Sequence, residues 1–94
     1  MAKPGKGTFP EGAPDPDDLV AIFGANLKSA RLKMRITQSE LAKQSGLLQQ
    51  YVSLVESGKR NVTLTTAHAL AKVVGQSVSD MLRPINAQPG DRRD

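Results

Sequence analysis

Two short helices joined by a tight turn are predicted within residues 37–60, TQSELAKQSGLLQQYVSLVESGKR. Thr37 is a suitable helix N-cap, and Glu40, three residues later, completes the pattern of a capping box. Gly46 supplies the positive φ that commonly ends a helix, and Gly58 repeats this signal at the end of the second helix. Helices this short are unstable alone because helix nucleation is unfavourable. The chain must therefore pack them against further helices.

The second of these helices, predicted over residues 48–57, has two different sides. At about 100° per residue, its predicted core side consists of Leu48, Val52 and Val55. Its outward side carries Gln49, Gln50, Ser53 and Leu54. Glutamine amides can pair with adenine in bidentate fashion, hydroxyls adapt to several bases, and apolar groups can contact the thymine methyl. The outward side therefore suits base edges in a DNA major groove, although glutamine pairs on helices are more often simply solvated.

The spaced residues of this stretch resemble the helix-turn-helix of the phage repressor and Cro family, of the xenobiotic-response-element type. The matching residues are Ile36-Thr37-Gln38, Glu40-Leu41-Ala42, Gly46, Tyr51-Val52-Ser53, Val55-Glu56 and Gly58-Lys59-Arg60-Asn61. With Leu64 and the helix after it, the similarity covers residues 19–84. It implies an all-α fold, a compact five-helix lambda-repressor-like helix-turn-helix domain. It also implies a sequence-specific transcriptional regulator that inserts helix 48–57 into the major groove of double-stranded DNA.

Three further helices are predicted around this pair. The first follows Asp17 and Asp18, whose negative charge favours a helix N-terminus. Its predicted core stripe is Val20, Phe23, Leu27, Ala30 and Met34. The fourth helix, over residues 64–74, is capped by Thr63 and ended by Gly75. Its predicted stripe is Leu64, Ala67, Leu70, Ala71 and Val74. A last short helix begins after Ser77 and is stopped by Pro84, with Val78, Met81 and Leu82 facing inward.

Flexible segments are predicted on both sides of a single domain at residues 17–84. Residues 1–16 contain Pro4, Pro10, Pro14 and Pro16 with three glycines, a density that excludes a helix or a paired strand. Residues 85–94, INAQPGDRRD, have the composition of an unstructured tail. We expect the arm to be dispensable for folding. The open alternative is an arm that reaches along DNA or a partner, with Lys3 and Lys6 as its basic residues.

Phosphate contacts are expected on either side of the base-reading helix. Residues 19–60 carry seven basic and two acidic residues, a balance that agrees with phosphate binding. Thr37 and Gln38, at the start of their helix, are expected to contact phosphate through side chain and backbone N–H. The contacts on the far side are assigned to Lys59, Arg60 and Asn61. Tyr51 either packs against the domain or reaches a phosphate with its hydroxyl.

The resemblance also implies a structural ion pair. Family members commonly join an arginine of the first helix to a glutamate late in the recognition helix, and the matching residues here are Arg31 and Glu56. We expect this pair to be at least half buried. The chain departs from the family at Arg35, where glycine often ends the first helix. An arginine in left-handed geometry would cost about 1 kcal/mol, which leaves open that this turn is built differently.

Enzymatic and metal chemistry have almost no support in the sequence. The chain has no cysteine and a single histidine, His68, so neither a thiolate metal site nor a base–nucleophile pair can be assembled. We therefore predict no enzymatic activity, no catalytic residue, no metal and no cofactor. No apolar run approaches about 18 residues, and we expect a cytoplasmic, nucleoid-associated protein without membrane contact.

The expected assembly is a homodimer, because regulators that resemble this chain usually bind as dimers and one short helix contacts few bases. The expected two-fold surface is Met81, Leu82 and Ile85, unless Met81 and Leu82 are used by the monomer's own core. The alternative function is a protein-interaction adaptor or antitoxin-type module that binds an unknown protein partner through the same helix. The apolar Leu54 on the outward side favours that alternative.

Overall fold

The computed structural model describes residues 17–84, and within that range the chain forms five α-helices and no strand. The helices are α1 (Leu19–Lys33), α2 (Gln38–Ser45), α3 (Gln49–Glu56), α4 (Leu64–Val73) and α5 (Val78–Met81). The prediction of an all-α, five-helix domain is confirmed. The predicted arm at residues 1–16 and tail at residues 85–94 lie outside the described residues.

Side-chain caps determine where most of the helices begin. The capping box predicted at the start of α2 is present, because the Thr37 hydroxyl accepts the Glu40 N–H and the Glu40 carboxylate accepts the Thr37 N–H. Thr63 caps α4 as predicted, and its hydroxyl accepts the Thr66 N–H at 3.1 Å. Asp18 caps α1 in the same way. These caps satisfy backbone donors that have no acceptor within the helix.

The short helix α5 is stabilised by a second capping box. The Asp80 carboxylate accepts the Ser77 backbone N–H at 3.2 Å, and the Ser77 hydroxyl accepts the Asp80 N–H at 3.0 Å. The Ser77 backbone bond, then the Ser77 side chain and the nearby Arg83, hold the pKa of Asp80 below its usual value. The stabilisation of α5 is therefore present at neutral pH and is lost as the pH falls through that lowered pKa.

Four helices end on a residue with left-handed backbone. Gly46, Gly58 and Gly75 have φ values of 73°, 76° and 73°, as their positions in the sequence predict. The residue after each donates its N–H to a carbonyl five positions earlier, which closes a Schellman motif. Helix α1 ends in the same way, but the left-handed residue is Arg35, with φ of 60°. The turn therefore has the left-handed residue that glycine often supplies in the family, and Arg35 adopts this strained backbone conformation.

The core follows most of the predicted stripes, but Ile22 is buried although no stripe included it, Val20 is only half-buried, and three predicted residues at helix ends are exposed. Its largest fully buried side chains are Ile22, Leu27, Leu41, Val52, Val55, Leu70 and Met81. The predicted core residues Met34, Leu48 and Leu64 are instead 47%, 76% and 79% exposed. They are the C-cap of α1, the N-cap of α3 and the first residue of α4. Helical periodicity does not extend reliably to such end positions, so the prediction was wrong for these residues.

Helix α5 completes the core of the monomer, which corrects the predicted two-fold surface. Met81 is 1% exposed and belongs to the core cluster, and Leu82 packs against the same cluster. The Asn26 amide donates to the carbonyls of Met81 and Arg83, each at 2.8 Å, and fastens the end of α5 to α1. Met81 is thus unavailable to a second copy of the chain. Ile85, the third residue of that predicted surface, lies outside the described residues.

A buried ion pair connects α1 to α3, as the family resemblance implies. The Arg31 guanidinium donates from Nε to Glu56 Oε2 at 2.6 Å and from NH2 to Glu56 Oε1 at 3.0 Å. Its remaining NH1 donates to the Ile36 carbonyl at 2.9 Å, in the turn before α2. Arg31 and Glu56 are each 7% exposed. The bidentate geometry and the additional acceptor compensate for the desolvation of both charges.

Helices α1 and α3 also approach closely at Gly24, a buried residue that the apolar stripe did not identify. A Cβ atom added there would lie 2.1 Å from the Val55 carbonyl oxygen and 3.1 Å from that of Glu56. Both obstacles are backbone atoms, which cannot turn away as a flexible side chain can. The absence of a side chain at this one position sets how deeply α3 is seated.

We predict that Gly24→Ala destabilises the domain by about 3 kcal/mol, because the added methyl group overlaps the α3 backbone. Helix propensity alone predicts the opposite sign, a gain of about 1 kcal/mol. Thermal and urea unfolding of the variant would measure the change, with Ser29→Ala on the exposed side of α1 as the control. A variant more stable than the parent would contradict the close approach.

We also predict that Glu56→Gln lowers the free energy of unfolding by about 3 kcal/mol, because it leaves a buried guanidinium without its counter-charge. The double variant Arg31→Met/Glu56→Gln should be more stable than Arg31→Met alone, in which the carboxylate stays buried and unpaired. The control is Arg83→Met, which removes an exposed pair with Asp80 at 3.6 Å and should lower the melting temperature far less than Glu56→Gln does. Glu56→Gln melting with the parent would show that the ion pair does not support the fold.

Candidate nucleic-acid interface

Helix α3 is held by its buried side and presents its other side to solvent. It packs against both α1 and α2. Val52, Val55 and Glu56 are buried, and together they make the contacts that seat the helix. Because α3 has only eight residues, these contacts rather than intrinsic helix stability keep it in place.

The four residues assigned to base contacts lie off this buried side. Gln49 and Gln50, at the first two helical positions, are exposed. Ser53 and Leu54, one turn later, are half-buried, so they reach the surface less completely than the glutamines do. The amides of Gln49 and Gln50 are therefore the most accessible hydrogen-bonding groups among these four side chains.

A hydrogen-bonded chain leads from the buried ion pair to this exposed end of α3. The Gln38 amide Nε2 donates to Glu56 Oε1 at 3.0 Å. The Gln38 carbonyl Oε1 lies 3.5 Å from Gln49 Nε2, a long contact that nevertheless orients one amide toward the other. Sequence reasoning assigned Gln38 only to phosphate and did not identify this position between the ion pair and Gln49. No local sequence pattern indicates this arrangement, because Gln38, Gln49 and Glu56 are distant from one another in sequence.

The start of α2 supplies the first of the two groups assigned to phosphate. The Thr37 backbone N–H already donates to Glu40 at 2.7 Å, so it is not available to a phosphate in this state. The Gln38 backbone N–H, at the first helical position, has no acceptor within the helix. The exposed Thr37 hydroxyl accepts one hydrogen bond in the capping box and retains its own proton for donation.

The segment after α3 supplies the second group. Lys59, Arg60 and Asn61 follow Gly58, and all three are exposed. The Arg60 guanidinium lies over the Tyr51 ring, 5.0 Å from its centroid, in a cation–π contact. Tyr51 is half-buried and packs against the core cluster. The Tyr51 ring therefore restricts the position of the Arg60 guanidinium.

Residues 17–84 contain no cluster of side chains that could hold a metal ion. His68 is exposed on α4, and no group of three or more potential metal-ligating side chains occurs in that range. Among the helices described, none is sufficiently long and apolar to cross a lipid bilayer.

Comparison with known proteins places this geometry in a family. A helix-turn-helix family model matches residues 27–81. The HTH-type transcriptional regulator y4dJ of Sinorhizobium fredii is 35% identical over 72 residues, which are 77% of this chain and 94% of that protein. Residues 27–81, matched by the family model, include the ion pair, α2, α3 and the loop assigned to phosphate.

Solved structures agree with the sequence comparison. The hypothetical transcription factor NHTF from Neisseria superposes with a TM-score of 0.73 at 33% identity, covering 89% of this chain and 92% of its own. The restriction-modification controller protein C.Esp1396I, solved as a tetramer in complex with its natural 35 base-pair operator, gives a TM-score of 0.62 at 30% identity. That match covers 68% of this chain and 88% of C.Esp1396I. The chain belongs to the helix-turn-helix family of transcriptional regulators.

Proposed function

We propose that the protein is a sequence-specific transcriptional regulator that binds double-stranded DNA with the N-terminal end of α3 in the major groove. The observation that carries the proposal is a pair of exposed glutamine amides at the start of a helix whose opposite side is locked into the core. The similar controller C.Esp1396I was solved bound to its operator, which supports DNA as the ligand of this fold. No cofactor, metal or catalytic group is needed for this function.

Base recognition is assigned to Gln49, Gln50, Ser53 and Leu54. Each glutamine can pair with adenine through its N6 amino group and N7, and Ser53 and Leu54 can contact bases one turn further along. The Gln38 carbonyl oxygen near Gln49 limits the directions in which the Gln49 amide can turn. A glutamine that is already oriented loses less conformational entropy on binding, which raises its contribution to specificity.

Phosphate binding is assigned to groups at both ends of the helix-turn-helix. Thr37 and Gln38 would contact one stretch of backbone, with the Gln38 N–H at a helix N-terminus as an anion donor. The contacts on the other side fall to Lys59, Arg60 and Asn61. Tyr51 acts through its ring, which holds Arg60 in position. These groups position α3 on the duplex without reading its sequence.

The active form is proposed to be a homodimer on a palindromic operator in the cytoplasm. One α3 helix contacts too few base pairs for specificity, and a two-fold pair would contact half-sites about 34 Å apart on one face of the DNA. The tetrameric operator complex of C.Esp1396I supports assembly on DNA for a protein of this fold. Because Met81 is buried in the monomer, the contact between copies must involve other residues.

Specific recognition and phosphate attraction can be separated by two substitutions. We predict that Gln50→Ala weakens binding to a duplex recovered by selection from a random pool by about 1–3 kcal/mol, while binding to random DNA is almost unchanged. Lys59→Ala should weaken binding to both duplexes alike and reduce the salt dependence by about one counterion, because one phosphate is no longer neutralised. Titrations at several salt concentrations would measure both effects.

Two matched controls exclude indirect explanations. Gln44→Ala removes an exposed glutamine from α2, and Lys72→Ala removes the same charge from the exposed side of α4. Neither should alter the ratio of specific to random binding, and Lys72→Ala should leave most of the salt dependence in place. An equal weakening on both duplexes for Gln50→Ala would show that Gln50 does not contact bases. Loss of a protein complex without any change in DNA binding would instead favour the adaptor function.

A further inference from the structure

Helix α3 begins differently from the four other described helices. Asp18, Thr37, Thr63 and Ser77 each accept an N–H of the first turn with a side-chain oxygen. The N-cap of α3 is Leu48, which makes no side-chain cap. Its backbone is extended, with φ of −86° and ψ of 147°, so a serine or asparagine could cap the helix without a change of conformation.

The same leucine is poorly placed for the stability of the free domain. It is 76% exposed, although a leucine is stabilising mainly when its surface is removed from water. At this position the chain therefore lacks a capping hydrogen bond, and the leucine does not compensate by packing in the core. A polar residue would stabilise the isolated protein, because it would cap α3 and expose less apolar surface. We therefore expect Leu48 to contribute to a complex.

Its neighbours indicate which complex. Leu48 directly precedes Gln49 and Gln50, the exposed amides at the end of α3 that enters the groove. An adenine recognised by either glutamine is paired with a thymine, and the C5-methyl group of that thymine lies on the same major-groove edge. The major groove presents no other apolar group of this kind, so an exposed leucine at this end of α3 has one complementary feature to meet.

We propose that Leu48 is a specificity-determining residue that contacts a thymine methyl group beside the base pairs read by Gln49 and Gln50. The inference rests on the proposed DNA-binding function and adds a residue and a base feature to it. Leu48 and the methyl group exclude water from each other, and the leucine favours thymine over cytosine, which has no methyl group at this position. Leu48 thus makes the free protein less stable than a capping residue would, but it contributes to recognition of that base.

The test combines a substitution in the protein with the removal of one methyl group from the DNA. The selected duplex is synthesised with each thymine in turn replaced by deoxyuridine, which lacks only the methyl group. For the full-length protein, one such replacement should weaken binding about fourfold, the effect expected for burial of one methyl group. For Leu48→Ser the same replacement should have no effect, since the contact is already absent.

The melting temperature provides a second readout, because Leu48→Ser should increase stability while it weakens DNA binding. Leu48→Ser introduces a capping hydroxyl and should raise the melting temperature by about 4 °C, even though it weakens binding to the thymine-containing duplex. Leu48→Met keeps an apolar side chain and should retain a measurable sensitivity to deoxyuridine. The matched control is Leu64→Ser, at a leucine that is 79% exposed at the start of α4. This variant should show the same sensitivity to deoxyuridine as the parent protein.

The outcomes distinguish this inference from the function on which it rests. Equal sensitivity to deoxyuridine in the parent and in Leu48→Ser, with specific binding intact, would overturn the role of Leu48 and leave the DNA-binding function standing. Failure to select any sequence from the random pool would overturn both. Unchanged DNA binding by Leu48→Ser together with loss of a protein complex would assign the exposed leucine to a protein partner and also overturn the inference.

Discussion

The buried pair of Arg31 and Glu56 is the interaction on which the rest of the domain depends. Arg31 lies on α1, its third nitrogen holds the turn before α2 through the Ile36 carbonyl, and Glu56 lies at the end of α3. The three hydrogen bonds of one guanidinium thus fix α1, the turn before α2, and α3 relative to one another. The Glu56 carboxylate also accepts the Gln38 amide, so the geometry of the ion pair extends to the surface where the proposed base contacts begin. Such a pair specifies one arrangement because any shift of α3 leaves two charges buried and unpaired.

Helix α3 combines a structural role with the proposed recognition role within eight residues. Its core side is secured by two valines and Glu56, and by the close approach of α1 at Gly24. Because the core side fixes the helix, the exposed side chains Gln49 and Gln50 are not needed for packing and can contact a ligand. Leu48 shows the same division, because its side chain stabilises neither a cap nor the core. Features that weaken the free domain are expected where binding compensates for them.

The local signals in the sequence predicted the beginnings and ends of the helices well. Thr37, Glu40 and Gly46 act through their own backbone neighbourhood, so their effects can be inferred without knowledge of the fold. Tertiary contacts could not be inferred in this way. The approach of α1 to α3 at Gly24 and the position of Gln38 between Glu56 and Gln49 depend on how separate helices cross. Leu48 was assigned to the core because the helical period was extended to an N-cap, where the backbone is not helical. The base and phosphate contacts themselves stay predictions, since they concern a ligand.

Contact between the N-terminal end of α3 and adenine in the major groove is what we propose for this domain. It is tested most directly by measuring affinity for the selected duplex with single adenines replaced by 7-deaza-adenine or by 3-deaza-adenine. The first analogue removes N7 from the major groove and the second removes N3 from the minor groove. We predict that 7-deaza-adenine weakens binding about tenfold at the adenines paired with glutamine, while 3-deaza-adenine has no effect at the same positions. A weakening confined to 3-deaza-adenine, or none with either analogue, would contradict the proposed orientation of α3 on DNA.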